Sequence, residues 1–243
     1  MLFTIVSGEM LKNALDLLAK RKAKHFNIDL IYGVAQVPWE VFAADLDQAI
    51  GCGADHLSCY SLTTEENSQL GLASPVADDA SSADWWLKLG EVLCSGGFER
   101  YEISNYACPG CGCKHNLNVW RGDTLLGVGA AAAGFNGRDR YNFAPDIKSF
   151  INGEAPEWDV LPEKDRLLEI FAVNLRTTRG WQQQEWEDIY PGSWAAMLRL
   201  SRRAAAEYPD FWSIDDRSIK LTEQGLLFWD DAAAEVLDWV DDL

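Results

Sequence analysis

Apolar positions in the first half of the chain alternate between two periods. Over residues 9–24 (EMLKNALDLLAKRKAK), Met10, Leu11, Ala14, Leu17 and Leu18 recur at helical spacing and fall on one stripe. Residues 26–33 (FNIDLIYG) form a short apolar run closed by glycine, the pattern of a buried strand. A second helical pattern over 39–51 (WEVFAADLDQAIG) turns Val41, Phe42, Leu46 and Ile50 inward, and residues 56–62 (HLSCYSL) predict a second strand. A Ser/Asp-rich loop over 73–82 and a helix over about 83–95 follow. Strand, helix, strand, helix at this spacing predicts an α/β fold of parallel βα units, arranged as a sheet or part of a barrel.

After Gly96-Gly97 the pattern changes. Residues 100–106 (RYEISNY) predict a strand, residues 107–123 are dense in Cys, Gly, Asn and His, and the small-residue run 125–134 (LLGVGAAAAG) permits very close backbone packing. A linker is expected around 153–156 (GEAP), dividing a first region, 1–155, from a second, 156–243. The second region predicts helices over 162–177 and 194–207, then a hairpin from Ile214 to Leu221 turning at residues 215–218. Thr222 caps a final helix ahead of Glu223. Helix, helix, hairpin, helix predicts a small winged-helix-like, mostly α-helical domain.

Charge decides how that second region is read. From residue 160 onward there are nine basic and seventeen acidic residues, whereas a groove-reading helix would carry a basic face. The domain is therefore expected to pack or to cover, not to bind nucleic acid. The whole 243-residue chain carries 21 basic and 38 acidic residues, a net charge of −17 that repels phosphates and anionic membrane surfaces. With 48% hydrophobic and 24% charged residues it has an ordinary globular composition. No run approaches the roughly 18–20 apolar residues of a membrane span. The first six residues (MLFTIV) lack a basic leader, so a cytoplasmic location is expected and the six cysteines are expected to stay thiols. The eleven tryptophans are spread along the chain and are read as separate core anchors.

The densest chemical constellation runs from Cys108 to Trp120 (CPGCGCKHNLNVW). His115, one of three histidines, is either an axial ligand for haem iron or a loop cap that hydrogen-bonds its own backbone. Cys108, Cys111 and Cys113 either join His115 at a metal or stand as loop thiols; a closed zinc site usually draws on two separated knuckles, and this is one. Asp29 interrupts an apolar strand, where a carboxylate is either turned to a ligand or bonded to nearby backbone. Glu102 and Asn105 stand similarly in the 100–106 segment. No Walker loop, G-x-S-x-G elbow or H-E-x-x-H occurs, so no hydrolase triad is indicated.

Read together, IDLIYG (28–33), HLSCYSLTTEENS (56–68), RYEISNYACPG (100–110), CKHNLNVWRGDTLLGVGA (113–130) and LTEQGLLFWD (221–230) resemble the HemW branch of the HemN-like, oxygen-independent coproporphyrinogen oxidase-like radical SAM family. The match runs from about residue 8 to the end of the chain. It implies the C-terminal strands of a partial radical SAM (β/α) barrel, a family-specific region, and a helical C-terminal domain. It also implies haem binding and haem delivery to an acceptor protein, through a motif HNxxYW that stands here as His115-Asn116-Leu117-Asn118-Val119-Trp120, with valine where the family has tyrosine. Asp29 falls on the position that resembles an S-adenosylmethionine contact, with Val34-Ala35 replacing the family's Leu-Pro. Cys113 matches the family motif, Cys108 and Cys111 are additional, and Ala133-Gly134 replaces the His-Ser of relatives.

The family's [4Fe–4S] cluster needs thiolates at C-x3-C-x2-C. No cysteine here has others at +4 and +7; from Cys108 those positions are Gly112 and His115. The chain is therefore expected to correspond to the C-terminal part of such a protein, unable by itself to cleave S-adenosylmethionine. The two functions in view are a haem-binding, HemW-like protein without its own cluster, and a non-catalytic module that completes a split barrel with an N-terminal radical SAM chain.

Overall fold

A computed structural model describes residues 8–21, 25–34, 37–63 and 79–243, which fall into two compact units, residues 1–112 and 113–243. The linker expected near 155 falls inside the second unit. The Ser/Asp-rich loop lies outside the described residues up to position 78.

In the first unit, α1 (Gly8–Arg21), β1 (Asn27–Tyr32), α2 (Trp39–Gly51) and β2 (His56–Ser61) follow the predicted order, with residues 22–24 of the first expected helix outside the described residues. β1 and β2 pair in parallel from Asn27 opposite His56 to Tyr32 opposite Ser61. α3 (Asp79–Ser95) comes next, then β3 (Glu99–Arg100) and β4 (Asn105–Ala107), giving a four-stranded sheet in the order β1-β2-β4-β3. The sheet is mixed: β4 runs antiparallel to both β2 and β3. It is open rather than closed into a barrel, with β1 and β3 at its edges among the described residues.

The single strand expected over 100–106 is thus a hairpin. Its cause is Glu102, fully buried, whose carboxylate accepts from the Ser104 backbone N–H (2.8 Å) and from Asn105 Nδ2 (2.5 Å), turning the chain back on itself. Arg100 then fastens the hairpin to α3. Its guanidinium lies 3.4 Å from the centre of the Trp86 ring and donates to Trp86 O and Tyr106 Oη. Gly90 leaves that space, since a Cβ there would meet the guanidinium at 2.4 Å. α2 buries Phe42, Leu46 and Ala49 against the sheet, but Val41, expected inside, is exposed one position off that face. The stripe on α1 forms as expected, yet Met10, Leu11 and Leu17 are all more than half exposed.

The second unit opens with α4 (Lys114–Trp120), followed by β5 (Ala133–Phe135), β6 (Arg140–Asn142), α5 (Ile147–Ile151) and β7 (Glu157–Asp159); the three strands form an antiparallel sheet. Then come α6 (Glu163–Asn174), β8 (Trp181–Gln182), α7 (Gln183–Ile189), α8 (Trp194–Glu207), β9 (Trp212–Ile214) and β10 (Ser218–Leu221). The sheet β8-β10-β9 and its flanking helices make the winged-helix-like arrangement. Thr222 caps as predicted, accepting from Gly225 N at 3.0 Å, but the last helix breaks at Phe228 into α9 (Glu223–Leu227) and α10 (Trp229–Leu237).

The core of this unit is aromatic. Trp181 and Trp186 meet edge-on at 4.8 Å, Phe171 lies 5.1 Å from Trp186, and Trp181 donates its indole N–H to Phe171 O. Fully buried indoles need such a partner for the ring N–H. The small-residue run works as its composition suggests. A Cβ on Gly127 would lie 2.0 Å from Ala133 O, and one on Gly134 would lie 2.1 Å from the Tyr141 ring, whose hydroxyl accepts from Gly127 N. Gly134→Ala displaces Tyr141 and should lower the unfolding free energy by about 1–3 kcal/mol, the usual cost of overpacking, read as a lower urea midpoint with native far-UV circular dichroism.

Candidate functional site

The residues singled out from sequence lie in both units, and each group is described within its own. In the second unit, α4 carries the HNLNVW motif. Cys113, in extended conformation, precedes the helix. His115 and Val119 are one turn apart on the helix, as are Asn116 and Trp120, so the seven-residue helix sorts the motif onto two faces. His115 is exposed and makes no hydrogen bond or ion pair among the described residues, so the loop-cap reading has no bond behind it. Asn116 is half-buried. Trp120, also half-buried, receives the Arg176 guanidinium at 4.7 Å from its ring centre, and the same guanidinium lies 5.4 Å from Trp229.

Val119 and Trp120 border a cavity of about 170 Å³, walled by Leu125, Phe135, Ile170 and Val173. Its polar edge is an ion network. Arg140 pairs with Asp159 and Glu169 at 2.7 Å each, and the nearly buried Arg166 pairs with Glu169 and Asp159. His115 does not line this cavity. The cavity is also smaller than the roughly 300–1,000 Å³ of pockets that enclose drug-sized ligands, so it cannot enclose a porphyrin. An iron ligated by His115 would lie on open surface.

In the first unit, Asp29 is exposed on β1 rather than buried. A strand at the edge of a sheet leaves its polar positions to solvent, and the apolar letters around Asp29 hid that. Its carboxylate accepts from Asn27 Nδ2 at 2.7 Å, and Asn27 Oδ1 in turn faces His56 Nδ1 at 2.7 Å and the Ser58 hydroxyl at 3.2 Å. With Asn27 Oδ1 as acceptor, His56 donates from Nδ1 and accepts the Tyr101 hydroxyl at Nε2, 2.7 Å away. The ring is neutral in this network.

The cysteines separate. Cys59 is buried in β2, and burial pushes its thiol up to about 12, which makes it inert. Cys111 sits beside two residues that spacing did not bring forward. His25 Nδ1 lies 2.5 Å from Asp55 Oδ2 and 3.9 Å from Cys111 Sγ, and the Cys111 thiol bonds the same carboxylate. The Phe26 N–H donates to the other Asp55 oxygen at 3.0 Å. Burial raises the Asp55 pKa, but the bonds from His25, Phe26 and Cys111 outweigh it and hold the carboxyl below its ordinary value. No signal in the sequence joins His25 to Cys111 across 86 positions; only the fold does. His115 is not in this cluster.

The chain is similar to known proteins over most of its length. No family model matches the chain. It is 39% identical over 230 residues to the heme chaperone HemW of Escherichia coli, covering 89% of this chain and 59% of that one. It is 31% identical over 229 residues to the heme chaperone HemW of Haemophilus influenzae, covering 89% and 58%. A zebrafish (Danio rerio) mitochondrial radical S-adenosyl methionine domain-containing protein 1 is 25% identical. Among solved structures, coproporphyrinogen III oxidase (HemN) of Escherichia coli, a radical SAM enzyme, superposes with a TM-score of 0.77 at 15% identity, over 97% of this chain and 60% of that one. The chain thus spans somewhat under 60% of the two HemW proteins.

The His56 network carries a pH signature. Burial holds its pKa below the ordinary 6.5, against the opposing pull of Asp55, Asp29 and Glu102. The unfolded chain takes up this proton below about 6.5 while the folded chain does not, so the stabilisation is complete above that pH and is lost as pH falls further. Urea unfolding at pH 7.5 and 5.5 should show the first unit weaker at 5.5, by at most about 1.4 kcal/mol per pH unit from this group, and His56→Gln should remove that part of the decline.

Proposed function

We propose that this chain, which belongs to the HemW/HemN-like radical SAM family, binds haem through His115 as a HemW-like haem-handling protein. The observation that carries the reading is the exposed imidazole of His115, with no competing bond among the described residues, on the motif that the resemblance links to haem. A neutral imidazole nitrogen donates its lone pair to iron. Val119, one turn on from it, supplies apolar surface beside it, and valine in place of the family's tyrosine removes a phenol and its hydrogen bond while leaving the ligand. The α4 helix holds His115 through its backbone, since the Leu117 N–H donates to Cys113 O and the Arg121 N–H to Leu117 O at 3.1 Å each. A haem held this way is open to an acceptor protein on its other face.

S-adenosylmethionine and a [4Fe–4S] cluster come to this reading from the family alone. The 243 residues contain no C-x3-C-x2-C, and Asp29, the position resembling an S-adenosylmethionine contact, is exposed on an edge strand. The purified chain should therefore yield no 5′-deoxyadenosine above background when reduced with dithionite in the presence of S-adenosylmethionine. Haemin titration followed at the Soret band should saturate at one equivalent, and His115→Ala should weaken binding at least tenfold or change the spectrum. Identical weak binding by both proteins would remove His115 as the ligand.

The open sheet favours a second reading. β1 has β2 on one side only among the described residues, and Ile31 on it is 56% exposed. Free strand edges beside exposed apolar side chains favour pairing with another chain. On this reading a polypeptide carrying C-x3-C-x2-C and the preceding barrel strands docks along β1. Co-expression with such a polypeptide should give a complex that survives size-exclusion chromatography, and Ile31→Lys should weaken it; a chain that stays monomeric beside that partner counts against the reading.

A further inference from the structure

We propose that His25, Asp55 and Cys111 form a binding site for a zinc-like divalent cation, separate from the haem-binding residues proposed above. The three ligand atoms, Nδ1, a carboxylate oxygen and Sγ, all lie within 4.8 Å of one another. Imidazole, carboxylate and thiolate are a donor set that borderline ions such as Zn²⁺ take readily, and three protein ligands with an open fourth position are the arrangement of accessible zinc sites.

The geometry is close to what the ion requires. Zinc–nitrogen and zinc–oxygen bonds of about 2.0–2.1 Å and a zinc–sulfur bond of about 2.3 Å at tetrahedral angles set N···S near 3.6 Å and N···O near 3.3 Å. The observed N···S separation is 3.9 Å, within a few tenths of that. The N···O separation is 2.5 Å, a hydrogen bond, so the ion replaces the shared proton and the two groups part by under about 1 Å. His25 is free to move that far, because its side chain is 59% exposed.

The other two ligands are held by backbone. Cys108-Pro109-Gly110-Cys111 is a tight turn closed by a Cys111 N–H to Cys108 O bond of 2.9 Å, with Gly110 at φ +81°. Proline second and glycine at positive φ third is the type II pattern, which fixes where Cys111 emerges. The Cys108 N–H donates to Asp55 O at 2.9 Å, so the turn is tied to the residue whose carboxylate completes the site. Thiolate, carboxylate and neutral imidazole balance the two positive charges of the ion; loading releases the thiol proton, while the proton that Nδ1 shares with Asp55 passes to Nε2 of a neutral ring, or to solvent where the ring starts charged.

Titration of the metal-free chain with Co²⁺, a spectroscopic probe for such sites, tests this. The expected result is one equivalent bound, with sulfur-to-cobalt charge-transfer absorption in the near ultraviolet and intense visible bands of tetrahedral cobalt, displaced by Zn²⁺. His25→Ala and Cys111→Ser should each weaken Co²⁺ binding at least tenfold, and Cys111→Ser should abolish the charge-transfer band. Both changes fall on incompletely buried loop residues, and circular dichroism verifies that the variants fold. Cys113→Ser, outside the cluster, should bind as the parent does. Retention of the band in Cys111→Ser, its loss in Cys113→Ser, or no binding by the folded parent would each overturn the proposal.

Discussion

The first unit is organised around one carboxylate. Asp55 precedes β2, and its side chain takes the Phe26 N–H at the entry to β1, the His25 imidazole before it, and the Cys111 thiol from the far loop, while its backbone oxygen takes the Cys108 N–H. Three segments that are distant in sequence are pinned at one end of the parallel pair. A parallel register has no hairpin to set it, since its strands are joined by a long crossover, so something beyond the turn must choose which residues face each other. Here Asp55 fixes the start and the Asn27–His56 side-chain bond fixes the first rung. The hairpin at Glu102 then adds β4 and β3 to the other side of β2.

The second unit rests on a different constraint, the closeness of backbones. Gly127 and Gly134 let the 125–135 segment fold against itself so tightly that the Tyr141 ring covers it, and Trp158 packs on the other side of that ring at 5.2 Å. The sheet built this way carries Arg140 and Asp159 to meet Arg166 and Glu169 from α6. Two cations and two anions alternating in space balance the charge of Arg166, which would be costly to bury alone, although its Nε is buried without a hydrogen-bond partner among the described residues. The same network closes the polar edge of the small cavity that Val119 and Trp120 border, while His115, one turn before Val119 on α4, is exposed.

How much of this was legible in the sequence follows from the range of each interaction. Period and punctuation gave β1, α2, β2 and the Thr222 cap, because each depends on neighbours within a few positions. The same local logic failed at Glu102, where strand-like letters conceal a buried acid that turns the chain. It failed at Asp29, because an apolar run does not say whether a strand is central or at an edge. Val41 and the α1 stripe misled for a related reason: periodicity reports that a face exists, and not what covers it. The motif at His115 could be recognised as a string, whereas its exposure could not. The His25–Asp55–Cys111 cluster had no signal at all, since 86 positions separate its outer members and only the strand register brings them together.

On the proposed ligation, the exposure of His115 bears on what kind of haem handling follows. A globin-like pocket buries the porphyrin on both faces and holds it through apolar area, at roughly 25 cal/mol per Å² removed from water. A ligand on open surface forgoes most of that area and retains chiefly the iron–nitrogen bond and one covered face. The first arrangement suits storage or chemistry on bound haem. The second suits transfer, because the acceptor can approach the uncovered face and take the iron before the first bond breaks. With a cavity of about 170 Å³ beside α4, too small to swallow the macrocycle, a haem held at His115 as proposed would be presented at the surface of the second unit. On the proposed ligation, the valine at position 119 fits the same logic, since a short side chain without a phenol gives the porphyrin edge less to hold than the tyrosine of the family motif would.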